Sequence, residues 1–246
     1  DALFVLCTEL QPDVVIATGD LGHRGRRAEL ESAKALLDRL PARAIAVPGN
    51  HDLPYGIPAR FTRPGRLFRD VVGPTELVEH TASFSLCALD SSWAWRQQGG
   101  RLRAESIARV NELTRAAPGA LRIVAFHHHV AAAPWRGVHK LPLARRERAL
   151  AAFGSAGVEL VLGGHIHQAT VCERRELEAG AAAMQTMVLA TAPGFGRPRP
   201  HRLGEAQGLQ VVSWDGDTIA IETRVWDGAS FMASALRTFP RGTLAG

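Results

Sequence analysis

Residues 47–52 read Val47-Pro48-Gly49-Asn50-His51-Asp52, which sets a carboxamide, an imidazole and a carboxylate side by side on a glycine turn. Three further blocks carry the same kind of chemistry: Thr18-Gly19-Asp20-Leu21 upstream, and His127-His128-His129 and Gly163-Gly164-His165-Ile166-His167 downstream. Carboxylate, carboxamide and imidazole together suit manganese, iron or zinc. Calcium takes oxygen alone, and a structural zinc would ask for cysteine. A carboxylate can bridge two ions, while neutral Asn50 and neutral histidines leave the cluster positive, which favours a phosphate. Two divalent ions about 3.5–4 Å apart can activate water and clamp a phosphoryl group for in-line displacement.

Each block follows a short apolar run. Residues 13–18, 44–47, 84–89, 122–126 and 159–162 read as strands, and the segments 28–40, 105–116 and 145–153 carry apolar residues at helical spacing. Pro41 stops the first of these helices. Strands joined by helical crossovers point to an α/β fold. In such sheets ligands sit beyond the carboxyl ends of the strands, where all four blocks lie. The last third changes character, with strands over 186–190, 209–214 and 218–225 and a hairpin signal at Asp215-Gly216-Asp217. The segments 53–74 and 193–202 read as exposed loops rich in Pro, Gly and Arg.

Every signal has a plainer alternative. Asparagine after glycine is common in turns, but here His51 and Asp52 follow it. His165 and His167 alternate along what reads as an extended segment, which would turn both imidazoles to one side. The three consecutive histidines are ambiguous in detail: if the extension continues, His128 is expected to point away, and His129 to line the pocket. His23 reads as a rim residue, and His80, His139 and His201 as surface or packing residues. Arg60, Arg63, Arg66 and Arg69, like Arg197, Arg199 and Arg202, read as solvated loop residues, with a cationic rim over a phosphate as the functional alternative. Trp93, Trp95 and Trp135 could stack on a base but read as packing residues.

The chain has 246 residues, enough for one α/β domain over 1–246 with its own core. The mean hydropathy is −0.04 and no apolar run reaches the ~20 residues of a membrane span. No secretion signal is read at the start. The odd, scattered cysteines Cys7, Cys87 and Cys172 fit a reducing compartment, so the expected location is cytoplasmic. The net charge is +5, nearly all arginine, since only Lys34 and Lys140 are lysines. That charge suits a surface or a phosphoester substrate. No basic helix with interleaved aromatics and no zinc-finger spacing supports nucleic-acid binding.

The Gly19-Asp20, Gly49-Asn50-His51-Asp52, His127 and Gly164-His165-Ile166-His167 blocks, in this order and spacing, resemble the calcineurin-like metallophosphoesterases. Within them the chain looks most like the bacterial class III cyclic-nucleotide phosphodiesterases, through Ala190-Thr191-Ala192, the arginine-rich loop, a strand pair, Trp226-Asp227-Gly228 and Phe231. The resemblance implies a four-layer α/β/β/α sandwich of two mixed sheets flanked by helices. It also implies a phosphohydrolase that uses two divalent ions (Mn²⁺, Fe²⁺/Fe³⁺ or Zn²⁺) and a metal-held hydroxide on a small phosphoester, with a homodimer compatible. By the same resemblance Asp20 bridges the ions, and Asn50, His127 and His165 complete one metal site. His167 belongs to the other site, His51 contacts the phosphate with Asn50 and protonates the leaving group, and Asp52 orients His51. The family's opening strand with its Asp-x-His block is not found, since nineteen residues precede Asp20 and Asp1 is followed by Ala2 and Leu3. The expectation is therefore an N-terminally truncated domain lacking its first strand. A catalytically impaired metal- or nucleotide-binding module is the alternative function.

Overall fold

The computed structural model describes residues 1–96, 98–131, 141–177, 186–196, 198 and 205–242. The readings of Trp135, His139, Arg197, Arg199, His201 and Arg202 lie outside these residues. In chain order the elements are α1 (Ala2–Leu10), β1 (Val15–Ala17), α2 (Arg27–Asp38), β2 (Ala44–Ala46), α3 (Ala59–Thr62) and α4 (Arg66–Val71). Next come β3 (Leu77–His80), β4 (Phe84–Ala88), α5 (Ala104–Arg109), a 3₁₀ turn over Val110–Arg115, β5 (Leu121–Ala125), α6 (Arg146–Ser155) and β6 (Leu160–Gly163). The chain continues through β7 (Thr170–Glu173), α7 (Arg174–Leu177), β8 (Val188–Thr191), β9 (Gly208–Trp214), β10 (Thr218–Trp226) and β11 (Phe231–Pro240).

The strands pair as the hydrophobic runs dictate. Every residue of β4 and β8 is buried, as continuous apolar runs covered on both faces must be. They belong to a six-stranded sheet of order β3-β4-β5-β6-β8-β7, parallel in the middle and antiparallel at both edges. A parallel pair β1-β2 and an antiparallel sheet β11-β10-β9 form the second sheet layer. Asp215 shapes the β9–β10 turn, its Oδ1 accepting the N–H groups of Asp217 and Thr218, both at 2.8 Å.

Two cores hold the layers together. Val110, Leu113, Phe126, Phe153 and Val161 fill the space between the large sheet and α5, the 3₁₀ turn and α6. On the opposite face Leu86, Ile123 and Leu160 meet Ile45, Ile219, Ile221 and Phe239 from the smaller sheets. Two sheets packed face to face with helices outside them make a mixed α/β fold of the expected kind. A buried ion pair pins the chain end to the start of β6: Arg241 Nε donates to Glu159 Oε1 at 2.8 Å and its Nη2 to Oε2 at 3.1 Å. Among the described residues no helix is long and apolar enough to cross a membrane.

Several elements escape sequence periodicity. The 53–74 stretch contains α3 and α4, whose four and six residues are too short to display a helical stripe. The helix expected over 105–116 tightens to a 3₁₀ turn from Val110. Strand β11 buries only Phe231 and Phe239, so it lacks the alternation by which half-buried strands are recognised.

Candidate metal centre

Four strand ends meet at one place. Asp20 follows β1, Asn50 follows β2, His127 follows β5 and His165 follows β6, the first two from the small parallel pair and the others from the large sheet. The layers are stitched together here. His127 Nδ1 donates to the Thr18 carbonyl at 2.7 Å, and Gly164 N–H to the His127 carbonyl at 2.8 Å. The turn after β1 requires glycine at position 19. Its φ is +89°, and an added Cβ would lie 2.7 Å from the Gly49 nitrogen and 2.8 Å from His127 Nδ1. Gly49 is equally constrained, because a Cβ there would sit 2.2 Å from Asp20 Oδ1.

The hydrogen bond to Thr18 fixes the tautomer of His127. A carbonyl can only accept, so Nδ1 carries the proton and Nε2 of the neutral ring is a bare lone pair. That lone pair faces Asn50 Oδ1 at 3.1 Å, His165 Nδ1 at 3.0 Å and Asp20 Oδ2 at 3.4 Å. A hydrogen on His165 Nδ1 can satisfy that lone pair, but the two oxygens bring none, so the cluster favours a proton or a metal ion among its atoms. The spacing fits a metal. Ligands ~2.1 Å from one ion stand about 3.0 Å apart at right angles and about 3.4 Å apart in a tetrahedron. The donors present are nitrogen and oxygen, the set that manganese, iron and zinc accept.

The electrostatics agree. Burial opposes the Asp20 charge, but His127 beside it and the His51 backbone N–H, donated to Oδ1 at 2.9 Å, hold its carboxyl well below the usual range. Burial likewise opposes protonation of His127, yet the Asp20 carboxylate overrides it and raises the imidazole above its ordinary value. The site attracts positive charge before any metal arrives.

His51 lies at the edge. Its Nδ1–H reaches both the His23 carbonyl and Tyr55 Oη, each at 2.8 Å, and its ring stacks on that of His23 at 5.4 Å. These contacts commit Nδ1 and leave Nε2 as the working nitrogen. The contribution of Tyr55 is not apparent from sequence, although its place four residues after His51 is the one available clue.

Four expectations are corrected. Asp52 was expected to orient His51. Instead its Oδ1 accepts the Gly22 N–H and its Oδ2 the Gly49 N–H, both at 2.8 Å, so it clamps the Asp20 and Asn50 turns together. The extended His165–His167 segment is in fact a turn, with φ +72° and +56° at the two histidines. His165 joins His127, while His167 Nδ1 faces Glu205 Oε1 at 3.8 Å. His128 does not point away. With His127 and His165 it forms the group whose ligand atoms lie within 4.8 Å of one another, and Ser91 Oγ is 2.9 Å from its Nδ1. His129 also stacks on His165, at 5.9 Å. Arg60, read as solvated, is buried and donates to the Ala94 and Pro54 carbonyls.

Asp52→Asn tests the clamp. One of its two oxygens becomes an N–H₂ facing a backbone N–H, so the turns loosen and manganese affinity is expected to fall roughly tenfold to a hundredfold. Calorimetric titration checks this, and an unchanged affinity would refute the clamp.

The sequence profile of the calcineurin-like phosphoesterases matches residues 2–169. No curated protein matches the chain in sequence. Among solved structures, a single mutant of Vps29 from Entamoeba histolytica is 14% identical, with 96% of this chain and 88% of that one covered and a TM-score of 0.47. Vacuolar Protein Sorting 29 from Cryptosporidium parvum is 11% identical over 96% and 88%, with a TM-score of 0.48. The calcineurin-like phosphoesterase YfkN from Bacillus subtilis is 12% identical over 98% and 80%, at 0.44. Resemblance at this level says nothing of activity or partners.

Proposed function

The chain belongs to the calcineurin-like phosphoesterase family, and from that membership we propose that it is a metal-dependent phosphohydrolase acting on a small phosphodiester, a cyclic nucleotide or a similar anion. The observation that carries the reading is His127 Nε2 facing Asp20 Oδ2 and Asn50 Oδ1 at 3.4 and 3.1 Å. Asp20, Asn50, His127 and His165 would hold one divalent ion, with His128 beside them, and Asp20 and His167 would contribute to a second. Manganese, iron or zinc suits this donor set. When bound, such ions lower the pKa of water and neutralise charge on the phosphoryl group.

The chain's own residues do the rest. Among the described residues Asn50 Nδ2 is buried without a hydrogen-bond partner, and a phosphate oxygen would accept from it. His51, with Nδ1 committed to the His23 carbonyl and Tyr55, presents Nε2. In its protonated form that atom donates to the departing alkoxide oxygen as a general acid. The excess of arginine draws the anion toward the site. The three free cysteines fit a cytoplasmic location.

The test takes the natural polypeptide that carries this sequence, strips it with chelator and reloads it with manganese, iron or zinc. It then compares bis(p-nitrophenyl) phosphate, p-nitrophenyl phosphate and 3′,5′-cyclic AMP. The diesters are expected to exceed the monoester in kcat/KM by about tenfold or more. A faster monoester would overturn the diester assignment, and no turnover with any metal would overturn the enzyme. A second reading, a metal-binding module without turnover, is favoured by one observation, the turning of His167 toward Glu205. Metal binding without hydrolysis in the same assay would support it.

A further inference from the structure

Beyond the metal centre, residues of the stretches 93–100 and 141–147 line an open cavity of about 320 Å³. That volume lies within the range of small-molecule sites. Its wall is tied by backbone bonds: Arg101 N–H donates to the Ser91 carbonyl and Ala144 N–H to the Gly100 carbonyl, both at 2.9 Å. Arg101 and Ala144 form a parallel bridge.

The lining combines an aromatic face with uncompensated positive charge. The guanidinium carbons of Arg96 and Arg101 stand 5.7 and 5.9 Å from the Trp93 ring centroid. Arg96, Arg145 and Arg146 contribute three positive charges to the lining. Against them, among the described residues, the lining offers one carboxylate, Glu147, whose Oε1 already faces Arg146 Nε at 3.2 Å. Arg96 and Arg145 are exposed at the mouth. Arg145 takes φ +57°, a left-handed conformation in which asparagine or glycine is the usual occupant.

The cavity shares a wall with the histidine group. Gly100, which lines it, packs so closely on His128 that an added Cβ would fall 2.1 Å from that ring. Ser91, whose carbonyl holds Arg101, places its Oγ 2.9 Å from His128 Nδ1.

From this juxtaposition we propose that the Trp93–Arg96–Arg145–Arg146 cavity is a second ligand site, taking a nucleoside monophosphate or a closely similar ring-bearing anion. Guanidinium groups bind the planar oxygens of a phosphate in bidentate fashion. The Trp93 indole, with two guanidinium groups near its ring, adds an aromatic surface against which a flat heterocycle can pack. An inorganic anion would use only the arginines and leave the indole unused.

The experiment titrates the natural polypeptide calorimetrically in the presence of chelator, so that the metal centre is not the receptor. The probes are the four ribonucleoside monophosphates, inorganic phosphate and the free nucleosides. At least one monophosphate is expected to bind about tenfold or more tightly than phosphate or its own nucleoside. Arg96→Ala and Arg145→Asn should each weaken it by about tenfold or more. Arg145→Asn should not lower the thermal midpoint, because asparagine accepts the left-handed backbone. Trp93→Leu should remove the preference for nucleotide over phosphate. The proposal is overturned if no monophosphate binds, if phosphate binds equally well, or if the Arg96→Ala, Arg145→Asn double variant binds as the parent does.

Discussion

Asp20→Asn is expected to lower phosphodiester turnover by about a thousandfold or more, close to 4 kcal/mol of barrier, while leaving the fold intact. The substitution is nearly isosteric. Asp20 sits at φ +57°, a conformation asparagine adopts readily, so the backbone loses nothing. What changes is the charge. The carboxylate whose Oδ2 lies 3.4 Å from His127 Nε2 becomes a neutral amide, and the anionic donor beside Asn50, His127 and His165 is gone. The same change reverses the balance on His127. Burial pushes its imidazole down, while Asp20 and, after it, the Thr18 carbonyl and Asp52 lift it, so removing the Asp20 charge lowers the titration midpoint. Imidazole NMR titration of the metal-free protein reads that fall, and a metal-loaded assay reads the turnover. A variant that keeps the parent's activity, or a His127 midpoint that does not move, would dismiss the bridging role.

Metal removal should destabilise the protein, and by more at pH 8 than at pH 5. Burial, reinforced by the Asp20 carboxylate, pushes Asp52 up to about 6 in the metal-free state. Between roughly pH 4 and 6 the folded chain therefore holds a proton that the unfolded chain has released. Stability drops across that window as pH rises, by something on the order of 2–3 kcal/mol. His127, raised above 6.5, contributes stability that is complete below 6.5 and disappears as pH climbs through its folded value. Asp20 acts in the opposite sense, but only at pH values below the usual carboxylate range. A divalent ion takes the place of the proton at His127 and offsets the charge near Asp52. At a thousandfold excess over its Kd it adds about 4 kcal/mol. Thermal unfolding with chelator and with manganese, at pH 5 and pH 8, measures the difference. An equal metal-induced shift at both values would show that the buried proton and the ion do not compete.

Much of the site was legible because it is local. Gly19-Asp20, Gly49-Asn50, His127 and Gly164-His165 each follow an apolar run, and all four of those runs form strands. The parallel alternation then places the strand ends on one side. Misreadings arose where a side chain's direction depended on a distant partner. Asp52 is adjacent in sequence to His51, yet its carboxylate answers to the N–H groups of Gly22 and Gly49. Three consecutive histidines give no hint of which rings converge. Ser91, thirty-seven positions from His128, takes part in that choice.

The sequence by itself determined the donor chemistry (one carboxylate, one amide and several imidazoles, each on a turn after a strand) because residue type and hydrophobic period are properties of the chain alone. Only the tertiary structure decided that His127 Nε2 is the meeting point, that His128 belongs and that His167 turns to Glu205. Those outcomes follow from left-handed turns at His165 and His167, from the Thr18 carbonyl reaching across 109 positions to set a tautomer, and from burial that makes each neighbouring charge count. None of the three exists until the two sheet layers have packed.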